Sequence, residues 1–300
     1  MPASDHAPPV SQRLPASIAI GILAVGKVEK VMRCCSDPVK AAIFAMVGVI
    51  CALVAAGAER PVWAQIGVGE QPSAGAYDGA SCFVAPRPNS LWSLAQCCAK
   101  NLQSNAECRS YDAADKYIIL KDNSRLKPAA YLIIPTIRVT GIEDKQIFLP
   151  PVVDFWTYGW QQARLLVKRP AADIGLAINS ARRRTQNQLH IHIACVLPAV
   201  ARTLADNSDR IGAEPATAAA LVLAPAQHSY RVIKVSAGLG GADSPFNLVA
   251  AMPGAGGDMG SQSIAVVGST TPGAYYVLDI SDHGSSPGVA EELLDQTCRG

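Results

Sequence analysis

The chain has little charge and few aromatic residues, and neither is concentrated as nucleic-acid binding requires. Charged residues make up 17% of its 300 residues and aromatic residues 6%, with a formal net charge of +2. A nucleic-acid-binding domain usually carries a basic face with interleaved aromatic side chains. The dense basic cluster here is 182–184, and three guanidinium groups suit a single phosphate better than a long polyanion. The sequence therefore predicts no nucleic-acid partner.

Common signatures of cofactor and metal sites are also missing. The glycine-rich segments 238–241 and 253–258 lack the Gly-Lys-Ser/Thr of a phosphate-binding P-loop. No His-Glu-x-x-His motif, compact cysteine and histidine cluster or paired acidic box offers a metal site. We therefore expect a protein that works without a cofactor or a divalent metal.

The N-terminal part contains one unbroken uncharged run, residues 41–58. Arg33 and Lys40 precede the run and small residues follow it, which is typical of a secretory signal or signal-anchor. By the positive-inside rule these two basic residues stay in the cytoplasm and the chain after the run is exported. Cleavage stays open, because 56–58 and 62–64 both offer small residues to a signal peptidase, while the run is at the lower limit for a membrane span.

These features predict four regions. Residues 1–40 are a cytoplasmic or mis-annotated N-terminal extension, and Met32 within it is an alternative true start that suits the signal that follows. Residues 41–58 are the signal or anchor, 59–89 are a linker rich in small residues, and 90–300 are the functional domain.

Cysteine usage fits an oxidising compartment. The cysteines after the apolar run are even in number, which predicts disulfides. They are Cys82, Cys97, Cys98, Cys108, Cys195 and Cys298. Either Cys97 or Cys98 with Cys108 closes a short loop, and Cys195 with Cys298 joins the C-terminal tail to the strand described next. Six cysteines permit many connectivities, so the pairing stays open.

Two of the five histidines stand two residues apart in the segment 184–195. If 188–194 is a strand, Gln188, His190, His192 and Ala194 share one face, and the apolar residues 189, 191 and 193 fill the other. Such a pair is compatible with two structural histidines, with a metal site that still needs a third ligand, or with nucleophilic catalysis by an imidazole at phosphorus.

Apolar spacing and turn residues predict the other elements. One helix begins at Leu91 with Ser90 as its N-cap, and a second covers 154–168. Short helices are predicted at 200–204 and 289–296. The basic turn 181–184 joins the strand 174–180 to the histidine strand. The other predicted strands are 117–121, 131–135, 219–223, 230–235, 263–267 and 275–278.

Several segments, in order, resemble one known family. Strand 174–180 contains Ala-Ile-Asn-Ser, the next turn contains Arg-Thr-Gln-Asn, and the histidine strand follows. This order is similar to the histidine-triad (HIT-like) superfamily of nucleotide hydrolases and transferases, and most of all to its branch of bacterial CDP-diacylglycerol pyrophosphatases. Further matching segments are 117–122, 131–136, 140–143 and 155–164. The resemblance is strong over about 90–200 and weaker beyond.

The resemblance implies an α+β fold, with a HIT-like antiparallel sheet of about five strands and helices on one side. It also implies hydrolysis of CDP-diacylglycerol to CMP and phosphatidate through a nucleotidyl-histidine intermediate. The enzyme is then expected to associate with the bacterial inner membrane, as a single-pass protein with a periplasmic catalytic domain, or to be secreted to the periplasm if the signal is cleaved.

Catalytic roles carry over from the resemblance residue by residue. His190 takes the nucleophilic place and His192 the last place of the triad, which leaves Gln188 at the first. In the other register His192 is the nucleophile and the last place falls on Ala194. Gln188 can exchange hydrogen bonds where Ala194 cannot, which favours the first register. Thr185 then stands where the superfamily keeps a hydroxyl residue.

The substrate-binding candidates are polar or aromatic: Asn179, Arg184, Gln188, Lys121 and Trp160. The resemblance gives Asn179 and Gln188 hydrogen bonds to phosphate oxygens and gives Arg184 the role of positive charge. Lys121 is alternatively an exposed strand end. Trp160, with Trp156 and Tyr158, either packs in the core or flanks an opening for a lipid-linked substrate.

Two other functions compete with this one. A HIT-like hydrolase or nucleotidyl transferase can act on another nucleoside diphosphate derivative, and comparing lipid-linked with water-soluble substrates separates the two. A non-enzymatic exported protein can instead hold a metal through His190 and His192.

Overall fold

One large antiparallel sheet is the centre of the structure. A computed structural model describes residues 82, 84–283 and 288–299, and ten strands within these ranges join one sheet. Their order across the sheet is β1-β2-β3-β5-β4-β8-β9-β7-β6, and β10 pairs with β5. The strands are β1 Cys108–Asp112, β2 Tyr117–Lys121, β3 Tyr131–Pro135, β4 Ile174–Ile178, β5 Ile191–Val196, β6 Ala219–Leu223, β7 His228–Val235, β8 Gln262–Gly268, β9 Tyr275–Ser281 and β10 Leu294–Asp295.

Most predicted strands are confirmed to within a few residues, and the sheet is larger than expected. The prediction of about five strands was wrong, because the predicted C-terminal strands β6 to β9 continue the same sheet through the pairing of β4 with β8. Strand β1 was not predicted, since its sequence is largely polar and its side chains are only partly buried. The predicted helix at 289–296 is a 3₁₀ turn, Ala290–Leu293, followed by β10.

Helices cover both faces of the sheet. They are α1 Ser90–Lys100, α2 Phe155–Leu166, α3 Pro198–Asp206 and α4 Pro245–Ala250. One core lies under α2 and α4, a second under α3 and the 290–293 turn, and a third under α1. The expectation of helices on one side was wrong because β4, β5 and β8 are buried along their whole length, so both of their faces need a cover.

The start of α1 differs from the predicted capping. Ser90 is the first helical residue, Asn89 is the cap, and the Ser90 hydroxyl donates to Gln186 Oε1 at 2.9 Å. Leu91 N–H donates to the same oxygen at 3.2 Å. The side chain of Gln186, just after the basic turn, therefore does the capping that the local sequence assigned to Ser90.

Strand β5 lies between β3 and β4, and this position sets which way its histidine points. His192 pairs with Leu132 on β3 and with Ala177 on β4. Ile191 and Ile193 point into the core under α2. His192 therefore points to the opposite face, toward the 290–293 turn. On the α2 side, Gly159 permits close packing, since a Cβ there would lie 2.8 Å from Leu176 on β4.

Three disulfides tie the fold together, joining Cys82 to Cys97, Cys98 to Cys108, and Cys195 to Cys298. The bridge from Cys98 to Cys108 is one of the two short-loop pairings that the sequence left open, and the bridge from Cys195 to Cys298 is the long-range pairing considered there. The predicted signal or anchor at 41–58 lies outside the described residues. Among the residues that are described, no helix combines the length and the apolar character needed to cross a membrane.

Candidate active site

A shallow depression opens where β4 ends and the basic turn leads toward β5. It is lined by Gly141, Ile178, Asn179, Arg184, Gln188, Leu189 and His190. The turn itself is anchored through Ser180, whose N–H donates to Ser263 Oγ at 2.6 Å and whose hydroxyl donates to Asp282 at 3.0 Å. Arg182 also binds Asp282, with Nε 2.9 Å from Oδ2. These bonds hold the loop between the two strands in one conformation.

His190 lines the depression with one ring nitrogen already engaged. Its Nδ1 lies 2.8 Å from the carbonyl oxygen of Gln188. A carbonyl only accepts, so Nδ1 carries the hydrogen and Nε2 keeps its lone pair. Burial lowers the pKa of His190, although the Gln188 carbonyl and Glu291 oppose the shift. The ring is therefore neutral at neutral pH, with a nucleophilic nitrogen available.

His192 lies next to His190, on β5 itself. The two rings are 5.1 Å apart between centroids and inclined at 68°. Nδ1 of His192 is buried, has no hydrogen-bond partner among the described residues, and lies 3.3 Å from Oε1 of Glu291. Burial lowers the pKa of His192 despite the nearby carboxylate, so this ring too is neutral.

Glu291 is held by several polar side chains. Lys127 Nζ lies 2.6 Å from Oε1, and Gln296 donates to the same oxygen. Asn179 donates to Oε2 at 3.1 Å and accepts from the Glu291 N–H at 3.1 Å. Burial acts to raise the pKa of Glu291, but it is outweighed by the attraction of His192 when that ring is protonated, by the ammonium of Lys127 and by the hydrogen bond from Gln296, so the pKa is lowered. Glu291 is therefore ionised beside a neutral histidine.

Arg184 is the cation at the depression, and it forms a two-pronged ion pair with Glu143. Its Nη1 and Nη2 each lie 2.6 Å from a carboxylate oxygen of Glu143. The Arg184 side chain is 11% exposed, and its Nε is buried with no hydrogen-bond partner in the described part of the chain. A Cβ on Gly141 would lie 2.5 Å from Nη1, so a larger residue there would displace the ends of this pair.

The structure brings together some of the predicted site residues. His190, Arg184 and Asn179 line the depression, and His192 lies beside it. Gln188 contributes to the lining, but its side chain is fully buried and its Nε2 donates to the carbonyls of Pro135 and Ile137 at 3.0 and 2.9 Å. Backbone carbonyls therefore already accept the hydrogen bonds that the Gln188 amide was expected to donate to a phosphate.

Three other predicted residues lie outside the lining. Thr185 is exposed on the loop. Lys121 donates to three backbone carbonyls, those of residues 122, 127 and 130, at 2.9–3.3 Å. Trp160 is 9% exposed and packs edge-on against Tyr275, in the core on the face opposite His192. Of the two interpretations of the aromatic residues, core packing fits Trp156, which is fully buried in the same core.

Sequence reasoning missed Glu291, Lys127 and Glu143 as parts of this region. Glu143 belongs to a segment that had been matched to the family, which was a usable signal. Glu291 and Lys127 belong to no motif, and only the fold brings them to His192. Within the described ranges, no group of three or more histidine, cysteine or acidic side chains is arranged to hold a metal ion.

Comparisons with known proteins agree with the earlier resemblance. A family model described as CDP-diacylglycerol pyrophosphatase matches residues 86–300. The chain is similar to CDP-diacylglycerol pyrophosphatase of Yersinia pestis, with 31% identity over 225 residues, or 70% of this chain and 84% of the relative. It is also similar to a probable CDP-diacylglycerol pyrophosphatase of Mycobacterium leprae, with 30% identity over 200 residues, or 64% of this chain and 72% of the relative. The region matched by the family model includes both the depression and Glu291.

Proposed function

This chain belongs to the CDP-diacylglycerol pyrophosphatase family, and from that we propose how its residues break the substrate. It is a hydrolase that cleaves the pyrophosphate bond of CDP-diacylglycerol, releasing CMP and phosphatidate. We propose that His190 is the nucleophile. The observation that carries this assignment is the contact of His190 Nδ1 with the Gln188 carbonyl, which leaves Nε2 as the nitrogen with a lone pair in the depression.

The obstacle to this reaction is charge. The pyrophosphate carries anionic oxygens that repel a nucleophile, so the site must offer positive charge as well as a positioned attacking atom. Arg184 provides a guanidinium at the depression, and Glu143 fixes its orientation. We propose that the buried Nε of Arg184 faces the substrate phosphate after a small shift of the side chain.

In the first step, His190 Nε2 attacks the phosphorus that bears the cytidine. A nitrogen–phosphorus bond forms, the bond from that phosphorus to the bridging oxygen breaks, and phosphatidate leaves with the bonding pair. The ring of the cytidylyl-histidine carries a positive charge, and its Nδ1–H still donates to the Gln188 carbonyl, which stabilises it.

In the second step, water attacks the same phosphorus. The nitrogen–phosphorus bond breaks, its electron pair returns to His190 Nε2, and CMP is released. We propose that His192 takes the proton from this water through Nε2, since its ring is neutral and adjacent to His190. His192 also contacts the transferring phosphoryl group in this scheme.

We also propose the HIT-like superfamily, a periplasmic location and membrane association for this enzyme. The His-x-His pair beside an Asn-containing strand supports the superfamily. Three disulfides and the basic residues before the apolar run 41–58 support export. The acyl chains of the substrate reside in a bilayer, which supports a location at the membrane. Protease protection of the full chain in spheroplasts tests the location.

The test of the mechanism is release of CMP from CDP-diacylglycerol in detergent micelles containing EDTA, with the full chain and its His190→Ala and His192→Ala variants. We expect His190→Ala to lower kcat by about 10⁴-fold or more, as for a covalent nucleophile, and His192→Ala by about 10²- to 10³-fold. Acid quenching of the wild type during turnover should trap a cytidylyl adduct on a peptide that contains His190.

Other results would reverse particular parts of the proposal. If His192→Ala is the more damaging change and the adduct maps to His192, the two roles are exchanged. If EDTA abolishes activity that added zinc restores, a metal takes part. A folded protein that cleaves water-soluble CDP-alcohols and leaves CDP-diacylglycerol intact acts on another nucleoside diphosphate derivative.

A further inference from the structure

Glu291 reaches the histidine strand from a segment distant in sequence. Its turn, Ala290–Leu293, leads into β10, which pairs with β5 at Val196 and Cys195. The Cys195–Cys298 disulfide fixes the same segment a few residues later. Ala290 and Leu293 are almost fully buried in the core on the His192 side of the sheet. The position of Glu291 is therefore determined by the packing of its neighbours.

The Glu291 carboxylate faces Nδ1 of His192, the ring nitrogen for which an acceptor is required. Nδ1 of His192 is buried without a hydrogen-bond partner in the described chain, and Oε1 of Glu291 lies 3.3 Å from it. The alignment falls short of a hydrogen bond, and a small rotation of the ring makes one. A buried ring nitrogen is costly to leave unsatisfied, so Nδ1–H facing the carboxylate is the favoured tautomer.

Further contacts prevent Glu291 from turning away. The Asn179 side chain accepts a hydrogen bond from the Glu291 backbone N–H and donates one to Glu291 Oε2, both at 3.1 Å. Lys127 lies 2.6 Å from Oε1 and balances the charge of the carboxylate. With that charge balanced, the pair of Glu291 and Lys127 stays ionised while the histidine stays neutral.

From this geometry we propose that Glu291 is a positioning residue for the hydrolase. It fixes His192 with the hydrogen on Nδ1 and the lone pair on Nε2, and it stabilises the imidazolium that forms when His192 accepts a proton from the attacking water. This inference rests on the proposed role of His192. It also gives Asn179 a role other than phosphate binding, because both ends of its side-chain amide hold Glu291.

The decisive experiment is a double-mutant cycle on CMP release by the full chain. We expect Glu291→Gln to lower kcat by about 10- to 100-fold with KM changed by less than about 2-fold, since the ground-state contacts of the substrate are unchanged. In the His192→Ala background the same change should cost less than about 2-fold, because the group that Glu291 positions is gone. Glu291→Asp, which keeps the charge, should recover part of the loss.

Glu292→Gln is the matched control. Glu292 carries the same carboxylate one residue further along the chain, but it binds His228 at 2.8 Å and the Tyr230 hydroxyl at 2.7 Å. It should leave kcat unchanged. An independent readout is imidazole ¹⁵N NMR of the detergent-solubilised chain, in which His192 should show the Nδ1–H tautomer in the wild type and a mixture of tautomers in Glu291→Gln.

The possible failures are distinguishable. Equal losses from Glu291→Gln in the wild-type and His192→Ala backgrounds, or an unchanged tautomer, would overturn the positioning role alone. If His192→Ala itself retains full activity, the proposed role of His192 fails first, and Glu291 has nothing to position.

Discussion

Removing the Cys195–Cys298 bridge is expected to weaken the fold more than removing the Cys98–Cys108 bridge. Both disulfides restrict the unfolded chain, and the restriction grows with the length of the loop that is closed. The sequence separations are 103 and 10 residues. The chain-entropy relation then gives about 4.7 kcal/mol for the long loop and about 2.7 kcal/mol for the short one. We expect the long bridge to contribute more by about 2 kcal/mol.

The comparison uses two double-alanine variants, so that neither leaves an unpaired thiol from its own bridge. Urea unfolding followed by far-UV circular dichroism gives the free energy of unfolding of each, and CMP release gives the activity. The long-bridge variant should stay active at low urea, because Leu293 and Leu294 remain buried and hold Glu291 in place. It should then lose activity at a lower urea concentration than the wild type does.

The opposite order of stability would refute this reasoning. If the Cys98–Cys108 variant loses as much free energy as the other, loop length does not govern the effect. If the long-bridge variant is inactive without urea although folded by circular dichroism, apolar burial is insufficient to hold the 290–298 segment.

Three other predictions concern the site and its neighbours. The pH profile of kcat/KM should have its acid limb below pH 6.5. Burial lowers the pKa of His190 and the neutral ring is the proposed nucleophile, so activity falls only as the pH drops through that lowered pKa. An acid limb above pH 6.5 would contradict the assignment. Gly141→Ala should lower activity by about 10-fold or more by displacing the nearby Arg184, while Gly212→Ala, with open space around its Cβ, should not. Lys121→Met should leave KM unchanged and lower the free energy of unfolding by about 1 kcal/mol, since three hydrogen bonds to carbonyls are lost while those of residues 127 and 130 keep a backbone donor. A raised KM would restore Lys121 as a substrate contact.

The strands that were predicted closely are short apolar runs whose ends are marked by turn formers. The strands 117–121, 131–135 and 219–223 match to the residue, since each is a run of apolar residues bounded by turn formers. For these segments the side chains that the sheet buries are the ones that the local pattern marks as apolar.

For the histidine strand, the alternation of apolar and polar residues was insufficient to predict where the strand begins. It was predicted from Gln188, but β5 begins only at Ile191. The residues before it bond to the segment 135–139 instead. The Gln188 amide donates to Pro135 and Ile137, and the Leu189 N–H donates to Val139 at 2.7 Å. Such contacts depend on a loop about fifty residues away, and alternation of apolar residues carries no information about them.

The charged part of the site was beyond sequence reasoning for a similar reason. Glu291 is followed by Glu292 in a segment with helical spacing, and nothing local distinguishes one glutamate from the other. Its role depends on the pairing of β10 with β5 and on Asn179 at the end of β4. Lys121 shows the reverse case, in which a residue at a predicted strand end has the right charge for a phosphate but is used by the nearby backbone.

The pairing of β10 with β5 also determines when during synthesis the site can be completed. The ribosome produces His190 and His192 about one hundred residues before Glu291 and Cys298, so the two histidines and their strand emerge first. Until the 290–298 segment arrives, the end of β5 has an unpaired edge and His192 lacks the neighbouring carboxylate. The assembled site is therefore completed late in synthesis, when the segment that closes the sheet edge also delivers Glu291 and when Cys195 can be oxidised with its partner.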